Sequence, residues 1–283
     1  MATQPVITPE ASFPVTIETA DGGVTIDAQP SRIVSLSPTA TEMLFAVGAG
    51  DQVIAADEYS DYPSEAPTTD LSGYEPNIEA IASYDPDLVV LQGDAGGVVD
   101  GLEALDVPVL VQPAAVMIDD TYDQMRELGD ATGNTTDAET AVAQMQADID
   151  AALAAVPDAA GMAVYHELDD TYYSVTSDTF IGQVYDLFGM VNIADEAKGA
   201  ASGYPQLSPE YIVKADPALI VLADGTCCGQ SAETVAARDG WGSIAAVEND
   251  GVVVIDDDIA SRWGPRIVDF IEAVSTAVQG QAA

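Results

Sequence analysis

From Arg32 onward, short runs of Val, Ile and Leu alternate with segments whose apolar residues fall three and four apart. The runs read "RIVSLS", "QVIAAD", "DLVVLQ" and "VPVLVQ" in the first half, and "MAVYHE", "YYSVTS", "LIVLA" and "GVVVIDDD" in the second. Strands that are apolar throughout, rather than at every second position, belong to parallel sheets covered on both faces by helices. The first helix is bounded by Ser37 as a cap, Pro38 in its first turn and Gly48 as a stop. Between residues 134 and 157, Ala138, Val142, Met145, Ile149, Leu153 and Val156 form a single helical stripe. A last helix begins at about Pro265.

One phrase is written twice. "EAIASYDPDLVVLQ", from Glu79 to Gln92, returns as "EYIVKADPALIVLA", from Glu210 to Ala223. Each copy reads as a helix halted at Asp-Pro that feeds a buried strand. "SDTFIGQVYDLFG" similarly echoes "SPTATEMLFAVG". The fold expected is therefore α/β: an N-terminal extension over 1–31, two Rossmann-like lobes with mainly parallel sheets over 32–133 and 158–283, and one long helix over 134–157 joining them. In open parallel sheets ligands bind beyond the carboxyl ends of the strands, so two such edges are expected to enclose one crevice.

The segments at those ends are "SLSPTA", "ADEYSDYP", "QGDAGG", "TSDTF", "ADGTCCGQ" and "DDDIASRWGPR". They carry Tyr59, Tyr62 and, close by, Tyr74, Tyr204 and Trp263, a set of rings in polar loops that suits a broad, partly apolar ligand. The sole histidine, His166, is either a hydrogen-bonded strand residue or a ligand contact, and one histidine builds neither a Ser-His-Asp triad nor a histidine-based zinc site. Neither dinucleotide nor phosphate-loop glycine patterns occur. Adjacent Cys227 and Cys228 lack metal-finger spacing; they form a vicinal disulfide or remain two thiols. No catalytic cofactor and no resident metal are expected.

Charge changes the picture of the surroundings. The chain has 48 acidic and 7 basic residues in 283, a net charge of -41 spread along its length, while 48% of its residues are hydrophobic. Such a chain folds, and its self-repulsion fades in molar salt, where the Debye length is about 3 Å. A halophilic source is expected. Nucleic acid, which needs Lys and Arg against phosphate, is excluded as a partner. No window of about 20 apolar residues marks a membrane span. The start, "MATQPVITPEASFPVT", shows no signal peptide, and the chain is expected to follow a removed leader.

The phrases "RIVSLSPTATEMLFAVGAGDQVIAADEYSDYP", "PNIEAI", "DPDLVVLQ", "YPQLSPEYI" and "ASRWGPRI" resemble the substrate-binding proteins of ABC importers, of the cobalamin-binding type, in order and spacing from Arg32 to the C-terminus. The resemblance implies a class III substrate-binding protein, monomeric when free, clasping cobalamin or a related corrinoid as a transported ligand between its lobes. It implies ligand contacts at Tyr59, Tyr204, Asp258 and Arg262. Two further aromatic positions of the family fall on Gly73 and Gln92, with Tyr74 adjoining the first; Gln92, Tyr74 and Trp263 complete the expected ligand set. It further implies that Glu79 and Glu210, one per lobe, dock on the permease, where composition alone would make them two solvated helix glutamates. Location outside the cell, tethered by a lipid, follows from the same resemblance. A ferric siderophore or haem on the same scaffold is the alternative ligand, and an enzyme built on paired α/β domains is the alternative class.

Overall fold

The computed structural model describes residues 12–19, 22–156 and 159–281. Two compact units result: one runs to Ala115 and takes in Asp119–Met145, and the other comprises Val116–Ile118 and the chain from Gln146. The helix Thr135–Ala154 contributes its first residues to one unit and its last to the other. Ala138, Val142, Met145 and Ile149 of its stripe are buried.

The first unit opens with an antiparallel hairpin, β1 (Val15–Thr19) and β2 (Gly22–Ile26), inside the N-terminal extension, to which the sequence reading assigned no strand. Val15, Ile17, Val24 and Ile26 alternate with polar residues and glycine, so the hairpin holds no continuous apolar run. The main sheet has β3 (Ile33–Leu36), β4 (Val53–Asp57), β5 (Thr68–Leu71), β6 (Leu88–Leu91) and β7 (Val109–Val111) in the order β5-β4-β3-β6-β7, all parallel. Every residue of β3 and β6 is buried, as strands covered on both faces require. Val34, Leu36, Ala55, Val89 and Leu91 pack with Ile81 and Leu102 from the covering helices. Each large apolar side chain so buried contributes about 1.5–3 kcal/mol.

The second unit repeats this plan with β8 (Ala163–Glu167), β9 (Val191–Asn192), β10 (Leu219–Leu222) and β11 (Val252–Val254), in the parallel order β11-β10-β8-β9. β10 lies beside β8 as β6 lies beside β3: Leu219 pairs with Val164, and Leu88 with Ile33. The segment "YYSVTS" is not a strand. Only an isolated bridge joins Tyr173 to Gln206, and Ser174 and Thr176 donate their N–H groups to Pro205 and Gly203 instead of to a sheet.

The duplicated phrase has the same local anatomy twice. Asn77 caps the helix Ile78–Ala82 by accepting from Ala80 N, and Ser208 caps Pro209–Ala215 by accepting from Tyr211 N. Asp85 and Asp216, each before a proline, both adopt φ 51°, a left-handed conformation that aspartate tolerates and that turns the chain into its strand. The first helix of the chain behaves as its sequence predicts, spanning Pro38–Ala46 with Ser37 accepting from Ala40 N and Gly48 at φ 83°. Its echo, Phe180–Leu187, is capped by Thr179 and followed by Gly189 at φ 68°.

Candidate ligand site

In the first unit the carboxyl ends of β3, β4 and β6 surround a cavity of about 410 Å³ lined by Leu36, Pro38, Asp57, Tyr74, Gln92 and Asp94, among others. β4 delivers Asp57 to this edge, buried. Its Oδ1 accepts from Tyr59 N at 2.9 Å and its Oδ2 from Ser60 Oγ at 2.8 Å, an Asx-type turn that fixes where Tyr59 leaves the backbone. Beyond β5 the chain crosses the end of β3 at Gly73. A Cβ there would sit 2.5 Å from the Leu36 carbonyl oxygen, so only glycine permits the crossing.

Tyr74, the next residue, supplies the ring that position 73 cannot. Its centroid lies 6.0 Å from that of Tyr59 at an interplanar angle of 79°, an edge-to-face pair. Both rings remain largely exposed, at 80% for Tyr74 and 53% for Tyr59. Gln92, at the end of β6, lines the same cavity. Tyr59, Tyr74 and Gln92 therefore gather on one sheet edge of one unit, and no residue lining the cavity carries a positive charge among the described residues.

In the second unit, Asp256 caps the helix Asp257–Ser261 by accepting from Asp258 N at 3.0 Å. One turn later Arg262 Nη2 meets Asp258 Oδ1 at 2.7 Å, with the arginine side chain only 10% exposed. The near-burial holds the guanidinium in place rather than leaving it to swing in solvent. Trp263, half-buried, follows directly. Tyr204 stands apart on its own loop after Gly203, which has φ 79°; its ring is half exposed.

Glu79 and Glu210 occupy the same place in their two units: the second residue of a capped helix, exposed, in the first turn where a carboxylate is favoured by the helix dipole.

His166 has the placing of a hydrogen-bonded strand residue. It lies wholly buried on β8, with Nδ1 2.6 Å from Tyr185 Oη and its ring against Tyr185 and Phe270. Burial lowers it to about 3, so the imidazole is neutral. Cys227 and Cys228 are free, exposed thiols on the turn Gly225–Cys228 after β10. The sequence reading missed a group beside them: Glu167 at the end of β8, buried and ion-paired with Arg238, and Asp224, buried with neither carboxyl oxygen hydrogen-bonded. The available signal was a carboxylate closing the apolar run "MAVYHE".

Two α/β units with parallel sheets and ring-bearing loops at their strand ends suit the holding of a small ligand, the class of binding protein. The chain belongs to the periplasmic binding protein family, whose model matches residues 33–259. It is 31% identical over 280 residues to a cobalamin-binding protein of Halobacterium salinarum, covering 94% of this chain and 74% of that one. Over 277 residues it is 30% identical to the uncharacterized ABC transporter substrate-binding lipoprotein YvrC of Bacillus subtilis, covering 94% and 86%. Among solved structures, the periplasmic haem-binding protein HutB of Vibrio cholerae matches with a TM-score of 0.76 at 21% identity, covering 88% of this chain and 98% of that one, a likeness of fold. The family is one of transport proteins that bind substrates rather than transform them. No helix among the described residues is long and apolar enough to cross a membrane.

Proposed function

We propose that the protein captures cobalamin or a related corrinoid outside the cell and delivers it to an ABC permease. Tyr59, Tyr74 and Gln92 of the first unit and Tyr204, Asp258, Arg262 and Trp263 of the second are its ligand contacts; Glu79 and Glu210 are its permease contacts. The observation that carries this reading is the exposed Tyr59–Tyr74 pair on the rim of a cavity without cations. Flat rings suit a macrocycle, and the amides around a corrin ask for hydrogen-bonding groups such as Gln92 and the Asp258–Arg262 pair rather than for a cluster of positive charge. The relative in Halobacterium salinarum supports the ligand, and the lipoprotein of Bacillus subtilis supports tethering at the outer face of the membrane.

A ferric siderophore or haem is the second reading, and the haem-binding fold neighbour speaks for it. The electrostatics speak against an anionic chelate, which needs several cations. Of seven basic residues, Arg32 is spent on the carbonyls of Tyr84 and Asp85, Arg126 on Asp123 and Glu139, Arg238 on Glu167 and Arg262 on Asp258. His166 is withdrawn into the core, so no imidazole is offered to haem iron. Calorimetric titration in molar salt with cyanocobalamin, haemin and a neutral hydroxamate siderophore separates the readings. Cobalamin is expected to bind most tightly. Affinity no better than high micromolar for cobalamin, with tighter binding of either rival, overturns the proposal.

A further inference from the structure

The ligand reading leaves the two thiols at the end of β10 unused. Cys227 and Cys228 are exposed, so they stabilise nothing by burial, yet their side chains lie together: the Cys227 thiol is hydrogen-bonded with Cys228. That hydrogen bond first, then partial burial and the neighbouring Cys228, Asp257 and Asp224, push the Cys227 thiol up to about 11. The turn that carries them is tightly seated. Cys228 N donates to the Asp224 carbonyl at 3.1 Å and Gly229 N to the Gly225 carbonyl at 3.0 Å. A Cβ on Gly225 would come within 2.2 Å of Val254 Cγ1, so the turn rests directly on the end of β11. The helix Asp257–Ser261, which carries Asp258, packs beside it.

A disulfide needs Cβ atoms about 3.8 Å apart. Successive side chains of a helix diverge by about 100°, so joining adjacent cysteines requires the turn to leave helical geometry. We propose that Cys227 and Cys228 are a modification site at which a low-molecular-weight disulfide produces a vicinal disulfide, unwinding the turn Gly225–Cys228 beside the Asp258–Arg262 pair. One cysteine, in the small fraction that is deprotonated, attacks the external disulfide slowly, forming a mixed disulfide and expelling one thiolate. The second cysteine, giving up its proton, attacks the protein sulfur of that bond and expels the second thiolate. The protein loses two protons and two electrons, and the external disulfide takes them up to become two thiols. Ring closure breaks the hydrogen bonds of Cys228 N and Gly229 N and removes the support of the helix Asp257–Ser261. The consequence for ligand affinity rests on the ligand reading above; the closure itself does not.

The test exposes the folded protein to oxidised glutathione in molar salt, then measures its mass, its alkylatable thiols, amide hydrogen exchange in the turn, and cobalamin affinity before and after reduction. The expected product is lighter by two hydrogens, has no free thiol and retains no glutathione. Exchange at Cys228 and Gly229 rises, and cobalamin affinity falls several-fold and returns on reduction. Cys227→Ser and Cys228→Ser each retain one glutathione. Two persistent thiols, two retained glutathiones or disulfide-linked dimers overturn the proposal, as does closure without faster exchange. Closure with faster exchange but unchanged affinity overturns its link to Asp258–Arg262. Failure of the reduced protein to bind cobalamin counts against the ligand reading alone, since mass, thiols and exchange still judge the site.

Discussion

Arg238 lays two guanidinium nitrogens on the carboxylate of Glu167, Nη1 at 2.6 Å from Oε2 and Nη2 at 2.5 Å from Oε1, although Glu167 is completely buried. Tyr165 Oη donates to the same carboxylate at 3.1 Å, Arg238 Nη2 also donates to Gln230 Oε1 at 2.7 Å, and the guanidinium lies 4.6 Å from the Trp241 ring centroid. Removing one partner strands a buried charge, which costs about 3–5 kcal/mol. Arg238→Leu is therefore expected to lower unfolding stability by that amount in urea titrations. Arg238→Lys should recover little, because an ammonium ion reproduces neither the two-point contact nor the stacking. A lysine variant as stable as the parent would contradict this account.

Asp224 faces the same cluster without a hydrogen bond to either oxygen. Burial, reinforced by the Glu167 charge, raises its carboxyl from 3.8 to about 6. The native protein thus holds a proton that the unfolded chain releases, so this group adds stability as pH falls from about 6 towards 4 and removes it as pH rises through the same window. A rise from 3.8 to about 6 corresponds to a contribution on the order of 3 kcal/mol. Asp224→Asn cannot titrate. The stability difference between parent and variant, measured by urea unfolding at fixed salt from pH 4.5 to 7.5, is expected to move in the parent's favour as pH falls, and a constant difference would refute it.

With a net charge of -41, the folded chain repels itself over distances that salt controls. The Debye length shrinks from about 10 Å at 0.1 M to about 3 Å at 1 M. The thermal midpoint is expected to rise steadily from 0.1 M to molar potassium chloride, and a neutral osmolyte at equal osmolality should not reproduce most of the rise. Equal effects of salt and osmolyte would point to solvent exclusion instead of screening.

Much of this fold was legible because its strands are buried on both faces: β6 and β10 are uninterrupted apolar runs, β3 is broken only by Ser35, and the duplicated phrase repeats both the strand and the capped helix before it. The hairpin of β1 and β2 escaped because its exposed residues carry no apolar run, and β9 because two residues carry no pattern. "YYSVTS" misled because it is a loop that buries Val175 but leaves Tyr173 exposed, with the N–H groups of Ser174 and Thr176 satisfied by Pro205 and Gly203. In the site, ring-bearing loops were readable from composition and from their place after strands. The Glu167–Arg238 pair was not, since 71 residues separate its members and only the folded second unit joins them.

Tyr74 can be tested apart from the fold. At 80% exposure it contributes little to folding, while its edge contact with Tyr59 holds a ring over the cavity rim. An aromatic contact of this kind is worth about 0.5–1.5 kcal/mol beyond the area it covers. Tyr74→Ala is expected to weaken cobalamin binding by about tenfold at an unchanged thermal midpoint. Unchanged affinity would remove Tyr74 from the ligand set.

Glu79 and Glu210 call for the opposite pattern: intact binding and impaired delivery. Each is exposed in the first turn of a capped helix and neither belongs to the residues that line the cavity, so charge reversal should leave cobalamin affinity unaltered. Two charge contacts on separate units fix the orientation of a docking partner, and losing either one costs orientation as well as attraction. Glu79→Arg and Glu210→Arg are each expected to reduce cobalamin uptake by cells carrying the cognate permease, and the double variant to abolish it. Because high salt screens exposed pairs, contacts of this kind must be partly buried on docking to retain their value. Reversing a matching arginine on the permease should therefore restore uptake with the corresponding glutamate variant. Full uptake by the double variant would return both residues to the ordinary acidic surface.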